Sequence, residues 1–179
     1  MKILLMCEGT NEEVLLNHLL NAEALKFSRD ELIGRRPYPI RQLNNPTIKS
    51  ELKHYGEPVK VYRVGDKQTD KLLIPKDIKN IVSKDEIYKY CTKQEMEILL
   101  IINEGFIKDY EKVKSNESPK AFAKRNIAFH IRKYDQSCDF LLEYYGGKNI
   151  ENLINNIKDY KKYKRQHNKD ELYLADLLK

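Results

Sequence analysis

Two short acidic turns are the places in this chain where residue type and spacing could do chemistry. The first is Glu8-Gly9, directly after the apolar run 3–7, and the second is Gly65-Asp66-Lys67-Gln68-Thr69-Asp70, directly after Val59-Lys60-Val61-Tyr62-Arg63-Val64. A carboxylate at the end of each of two parallel neighbouring strands would open into the crevice where α/β sheets place ligands. Magnesium takes hard oxygen ligands and keeps several waters, so one or two carboxylates and a substrate phosphate suffice to hold it. The pair Glu8 and Asp66 therefore suits metal-assisted phosphoryl chemistry, the metal stabilising charge on the phosphoryl oxygens and a carboxylate serving as general acid or base. Taken singly, Glu8 reads equally as a solvated turn acid.

The elements that must position this pair can be read from the pattern. The run 3–7 is short enough for a buried strand, and Leu15, Leu16, Leu19 and Leu20 then recur at helical spacing, with Thr10 and Glu13 placed as a capping box. Residues 59–64 alternate as a strand does. Between them, Ser28-Arg29-Asp30-Glu31 has the form of a short helix start, 38–43 permits an edge strand, and Asn45-Pro46-Thr47 opens a helix over 48–55 that Gly56 closes. Arg35, Arg36 and Arg41 lie close together in sequence, available to phosphates or simply solvated.

Further on, Ser83-Lys84-Asp85-Glu86 has capping-box form, and Thr92-Lys93-Gln94-Glu95 repeats it. The apolar run 96–102 follows, and with Phe106, Ile107 and Tyr110 it predicts one long buried helix. Glu95 and Glu97 at its start are candidates for the same acidic pocket. Ser118-Pro119 starts a helix expected to carry Phe122, Ile127, Phe129 and Ile131 to about Tyr134. A second helix is expected over 135–145, a third after Asn149, and a final amphipathic helix over 170–178. Lys158, Lys161, Lys162, Lys164, Arg165 and Lys169 interleave with Tyr160 and Tyr163. Such a stretch can bind a nucleic-acid backbone, or form a solvated helix face with tyrosines packing at its edge.

Composition sets the frame. Across 179 residues, 41% hydrophobic and 34% charged residues suit a globular chain, and a net charge of +6 leans toward anionic partners. No apolar run approaches the roughly 18 residues of a membrane span, so the expectation is a cytoplasmic protein with no membrane partner. Three widely spaced cysteines and four histidines form neither a disulfide framework nor a zinc site, and no P-loop or nucleophile elbow is present.

At Ile3-Leu4-Leu5-Met6-Cys7-Glu8-Gly9-Thr10-Asn11-Glu12 the chain resembles the Toprim domain, the catalytic fold of type IA and type II topoisomerases, bacterial primases and OLD-family nucleases. The family's second motif, Asp-x-Asp after a later strand, has a partial counterpart in Asp66-Lys67-Gln68, with Gln68 in place of the second aspartate and Asp70 off register. The resemblance covers about the first 105 residues. It implies a Toprim-like, Rossmann-like, mostly parallel α/β sheet with flanking helices over 1–105; the residues 106–179, which it does not cover, read as a helical C-terminal extension. It implies that Glu8 acts in proton transfer or metal binding and that Asp66 binds Mg²⁺ or Mn²⁺, with Gln68, Asp70, Glu95 and Glu97 as further metal candidates; Lys161, Lys162, Lys164 and Arg165 are nucleic-acid candidates from the basic composition of their stretch alone. Two functions are then expected as alternatives. One is a nuclease-like phosphotransfer enzyme on nucleic acid. The other is a catalytically inactive binding or regulatory subunit in phage defence or a mobile element, with an ATPase, methylase or nuclease as partner.

Overall fold

The computed structural model describes residues 1–66, 71–92, 96–146, 149–163 and 171–179. Strand β1 (Ile3–Cys7) is buried at all five positions, as an unbroken apolar run requires when both sheet faces are covered. Helix α1 (Thr10–Asn21) and helix α2 (Pro46–Tyr55) lead to strand β2 (Lys60–Gly65), which lies parallel to β1 with Cys7 opposite Val64. Strand β3 (Ile87–Cys91) pairs parallel with β2, and helices α3 (Glu97–Asn103), α4 (Ile107–Val113) and α5 (Pro119–Asn126) follow. A two-stranded hairpin, β4 (Ala128–Phe129) and β5 (Arg132–Lys133), separates these from α6 (Cys138–Tyr144) and α7 (Ile150–Tyr163). The chain then returns to the sheet as β6 (Leu172–Tyr173), giving the parallel order β1-β2-β3-β6.

Two apolar layers cover the sheet. Leu5 and Cys7 face one, with leucines of α1, Ile98 to Ile101 of α3 and residues of α5, α6 and α7; Leu4 and Met6 face the other, with Ile48 and Leu52 of α2. Each fully buried leucine contributes about 1.5–3 kcal/mol by leaving water. The free edge of β1 is occupied by Tyr38, whose N–H donates to Leu5 O and whose carbonyl accepts from Cys7 N–H, both at 2.8 Å. That backbone graft takes the place of the edge strand expected over 38–43, where Tyr38 forms only a single bridge to Met6.

Helix α2 begins as expected, Asn45 Oδ1 accepting from Thr47 N–H at 2.9 Å and Gly56 closing it in the left-handed region. Elsewhere the structure corrects the sequence reading. Ser83 caps only a single 3-10 turn, Lys84–Glu86, before the strand β3. The long helix expected from 96 to 110 is two helices, because Gly105 adopts φ 74 and the Gly105 and Phe106 amides turn back onto Ile102 and Ile101. The helix begun by Ser118 stops at Asn126: Ile127 is extended, and Phe129 and Ile131 belong to the hairpin, Ile131 at its exposed tip. Helix α6 starts at Cys138, three residues later than the expected 135. In place of a final helix the chain ends with β6 and a 3-10 turn, Leu174–Leu177, so the part beyond residue 105 is not purely helical. Among the described residues no helix is long and apolar enough to cross a membrane.

Candidate functional site

The parallel register of β1 and β2 sets Glu8 beside Gly65, one step past the last paired residues. The Asp66 N–H donates to Glu8 Oε2 at 3.1 Å, so the two acids that follow the two strands are tied directly together. Glycine at 65 makes this approach possible, since a Cβ there would sit 3.0 Å from Glu8 Oε2. The end of β3 joins the group: Thr92 Oγ1 donates to Asp66 Oδ1 at 3.3 Å. Arg63, almost wholly buried on β2, carries its Nη1 to 3.7 Å from the same Gly65 Cβ position and sets positive charge behind the acids.

Helix α1 starts one residue earlier than the Thr10 and Glu13 pairing implies. Gly9 is the N-cap, with extended backbone, and Thr10 is already the first helical residue, so its hydroxyl makes no cap bond. The residue three beyond the cap is therefore Glu12, whose carboxylate turns back over Gly9, where a Cβ would meet its Oε2 at 3.0 Å. Burial pushes the Glu12 carboxyl above its ordinary value of 4.5, the charges of Asp66 and Glu8 push it further, and the amides of Glu12 and Gly9 pull part of the way back.

Glu12 and Asp66 line a cleft of about 310 Å³ together with Glu97 and Lys120. Glu97, in the first turn of α3, is 6% exposed and accepts a hydrogen bond from the Tyr134 hydroxyl at 2.6 Å. The structure thus brings Glu8, Asp66 and Glu97 to one end of the sheet. Gln68, Asp70 and Glu95 lie outside the described residues, as do Lys164 and Arg165.

The basic stretch is partly turned inward. Lys161 forms an ion pair with Asp176 and sits 6.0 Å from the Tyr173 ring centre, and Tyr160 is a core residue at 5% exposure. Lys162 is exposed and pairs with Asp159 at 2.9 Å. Tyr160 is therefore not a platform for stacked bases.

Thr92 and Lys120 are not among the candidate residues read from the sequence, Glu12 enters there only within the family motif, and Arg41 only as one of three arginines available to phosphates or to solvent. Of the three arginines that the sequence places together, Arg35 pairs with Asp30 at 2.7 Å and Arg36 lies 5.0 Å over the Tyr38 ring. Arg41 alone of the trio reaches Glu8, its Nε donating to the Glu8 carbonyl and its Nη2 lying beside Oε1, both at 3.3 Å. Its signal in the sequence was basic charge in a loop, which does not tell solvent from site. The Cys7 thiol is buried beside Glu12 and Glu13, its pKa pushed far up, so it is a packing residue.

The donor set fits a hard divalent cation in kind: carboxylate oxygens from the turns after β1 and β2 and from the first turn of α1, the Glu12 carboxyl being raised first by burial and then by the charges of Asp66 and Glu8. Among the described residues, no three His, Cys, Asp or Glu side chains are grouped as a ready metal cage. Asp66, Glu12 and Lys120 line the cleft, and Glu8, tied to the Asp66 amide, carries Arg41 on its carboxylate. Comparison of the chain with protein-family models, with curated proteins and with solved structures finds no match in any of the three.

Proposed function

We propose that the protein is a Toprim-like, metal-dependent enzyme acting on the phosphodiester linkages of nucleic acid, nuclease-like in its reaction. The observation that carries this reading is the hydrogen bond from the Asp66 amide to the Glu8 carboxylate, which sets the two acids side by side at the carboxyl ends of neighbouring parallel strands. Glu8 and Asp66 would hold Mg²⁺ or Mn²⁺ through carboxylate oxygens, and the bound ion would supply charge stabilisation at the phosphoryl oxygens. Glu12 lines the same cleft as Asp66, where its carboxylate would give the ion a further oxygen ligand. Lys120 adds a positive charge on the cleft wall that attracts the phosphate backbone. A cleavage assay on DNA and on RNA, with and without Mg²⁺ or Mn²⁺, tests it: cleavage should need the ion and vanish in Glu8→Ala. Metal-independent cleavage, or cleavage that survives that substitution, overturns the reading.

A second reading is a catalytically inactive Toprim-like subunit that binds or regulates a partner ATPase, methylase or nuclease, in phage defence or a mobile element. It is favoured by the guanidinium of Arg41, which already neutralises Glu8. Its test is co-purification from the native host, with a stoichiometric enzyme partner expected.

A further inference from the structure

Arg41 approaches Glu8 in an unusual way. One guanidinium touches both the carbonyl and the carboxylate of the same residue, each at 3.3 Å, yet the arginine side chain is 67% exposed while that of Glu8 is 17% exposed. The carboxylate is held in place by the Asp66 amide and by the packing of the strand ends; the arginine is held by little besides Glu8. An exposed ion pair is a weak tether, and an arginine side chain can swing several ångströms about its stem. Its planar fork also matches the geometry of a phosphate.

We propose that Arg41 is a phosphate-positioning residue parked on Glu8 in the resting protein: with a divalent cation held by the Glu8 and Asp66 carboxylates, Arg41 would swing off the carboxylate and hold a backbone phosphate of the nucleic-acid strand. This rests on the reading of Glu8 and Asp66 as a cation site. Arg41 and a cation would compete for the Glu8 oxygens, so Arg41 would be free to grip the strand only with the cation in place. Under the inactive-subunit reading the same contact is permanent.

Calorimetric titration of the full chain with Mn²⁺ separates these cases, using wild type, Arg41→Ala and Arg41→Lys, with thermal melts as folding controls. Removing the competing charge should tighten Mn²⁺ binding by about threefold to tenfold in Arg41→Ala, with Arg41→Lys in between. Binding of a hydrolysis-resistant phosphorothioate DNA strand, and of its RNA counterpart, is measured by anisotropy across a salt series. With Mn²⁺ present, Arg41→Ala should lower the slope of log affinity on log salt by about one contact, and without Mn²⁺ it should leave the slope unchanged. The strand that shows the effect identifies the substrate. Wild type that binds Mn²⁺ no less tightly than Arg41→Ala overturns the proposal and leaves the metal site standing. Absence of Mn²⁺ binding in all three proteins overturns the cation site, and the proposal falls with it.

Discussion

Tyr134 donates its hydroxyl to Glu97 Oε1 at 2.6 Å, and so joins the residue that follows the β4–β5 hairpin to the first turn of α3 in the cleft wall. A carboxylate that is 6% exposed depends on such a donor, because water does not replace it. Tyr134→Phe should therefore destabilise the protein by about 1–3 kcal/mol, the cost of leaving a buried acceptor short of a partner. Urea denaturation checks it: the midpoint should fall with the slope unchanged. A midpoint equal to that of wild type would mean that Glu97 is solvated.

Gly65 offers a way to move Glu8 without touching it. An alanine Cβ would lie 3.0 Å from Glu8 Oε2, the far end of a flexible side chain, so the carboxylate can step aside at small cost. Alanine is also the better strand residue by about 0.5–1 kcal/mol. Gly65→Ala should fold with stability within about 1 kcal/mol of wild type. If Glu8 is a cation ligand held by the Asp66 amide, Mn²⁺ affinity in the same variant should drop by about threefold or more. Unaltered affinity by calorimetry would remove Glu8 from the ligand set.

The parts of the fold that the sequence revealed are those where one local signal dominates. β1 is an unbroken apolar run, β2 alternates, and α2 has Asn45, Pro46 and Gly56 at its ends, so each was legible without knowledge of its neighbours. β3 was hidden because a capping signature serves a 3-10 turn as well as it serves a helix. The hairpin was hidden because Phe122, Ile127 and Phe129 all reach the same core layer from a helix and a strand alike, so their apolar spacing does not report which. β6 pairs through only two register positions and depends on β3 being there first. At the site, the acids Glu8 and Asp66 could be found as residues that end strands, and Glu97 as an acid that opens a helix. Arg41 could not, because its approach to Glu8 depends on how the loop after Tyr38 crosses the β1 edge.

That crossing has its own weak point. Gly34 has φ 60, and a Cβ there would fall 1.9 Å from the Tyr38 hydroxyl oxygen, inside a residue that is 1% exposed. Gly34→Ala should cost about 2–4 kcal/mol, combining left-handed backbone strain with a contact that the core has no room to relieve. Removing the hydroxyl in Tyr38→Phe takes away the nearest clashing atom, so the double variant should be more stable than the sum of the two single effects by about 1 kcal/mol or more. Strict additivity in denaturation experiments would show that the loop does not pass so close to Tyr38.

The raised carboxyl of Glu12 predicts how stability depends on pH and on metal. Burial and the neighbouring charges of Asp66 and Glu8 lift its folded-state value above 4.5, so between 4.5 and the raised value the native protein holds a proton that the unfolded chain has lost. The native state therefore gains from Glu12 fully below the unfolded value, and the gain disappears as pH rises through the folded one. Glu12→Gln keeps an acceptor oxygen and cannot ionise, so its stability should gain on that of wild type as pH climbs from the ordinary value of 4.5 through the raised folded one, the difference levelling once Glu12 is charged in both states. A divalent cation acts in the opposite sense, since it offsets the same crowded charges and competes with the proton for them. Mg²⁺ should then raise the Tm of wild type near neutral pH, lose that effect near pH 4, and raise the Tm of Glu12→Gln less at every pH. Thermal melts of the two proteins across pH with and without Mg²⁺ decide it: parallel curves place Glu12 outside the acidic cluster, and a Mg²⁺ effect of equal size in both places it outside the cation site.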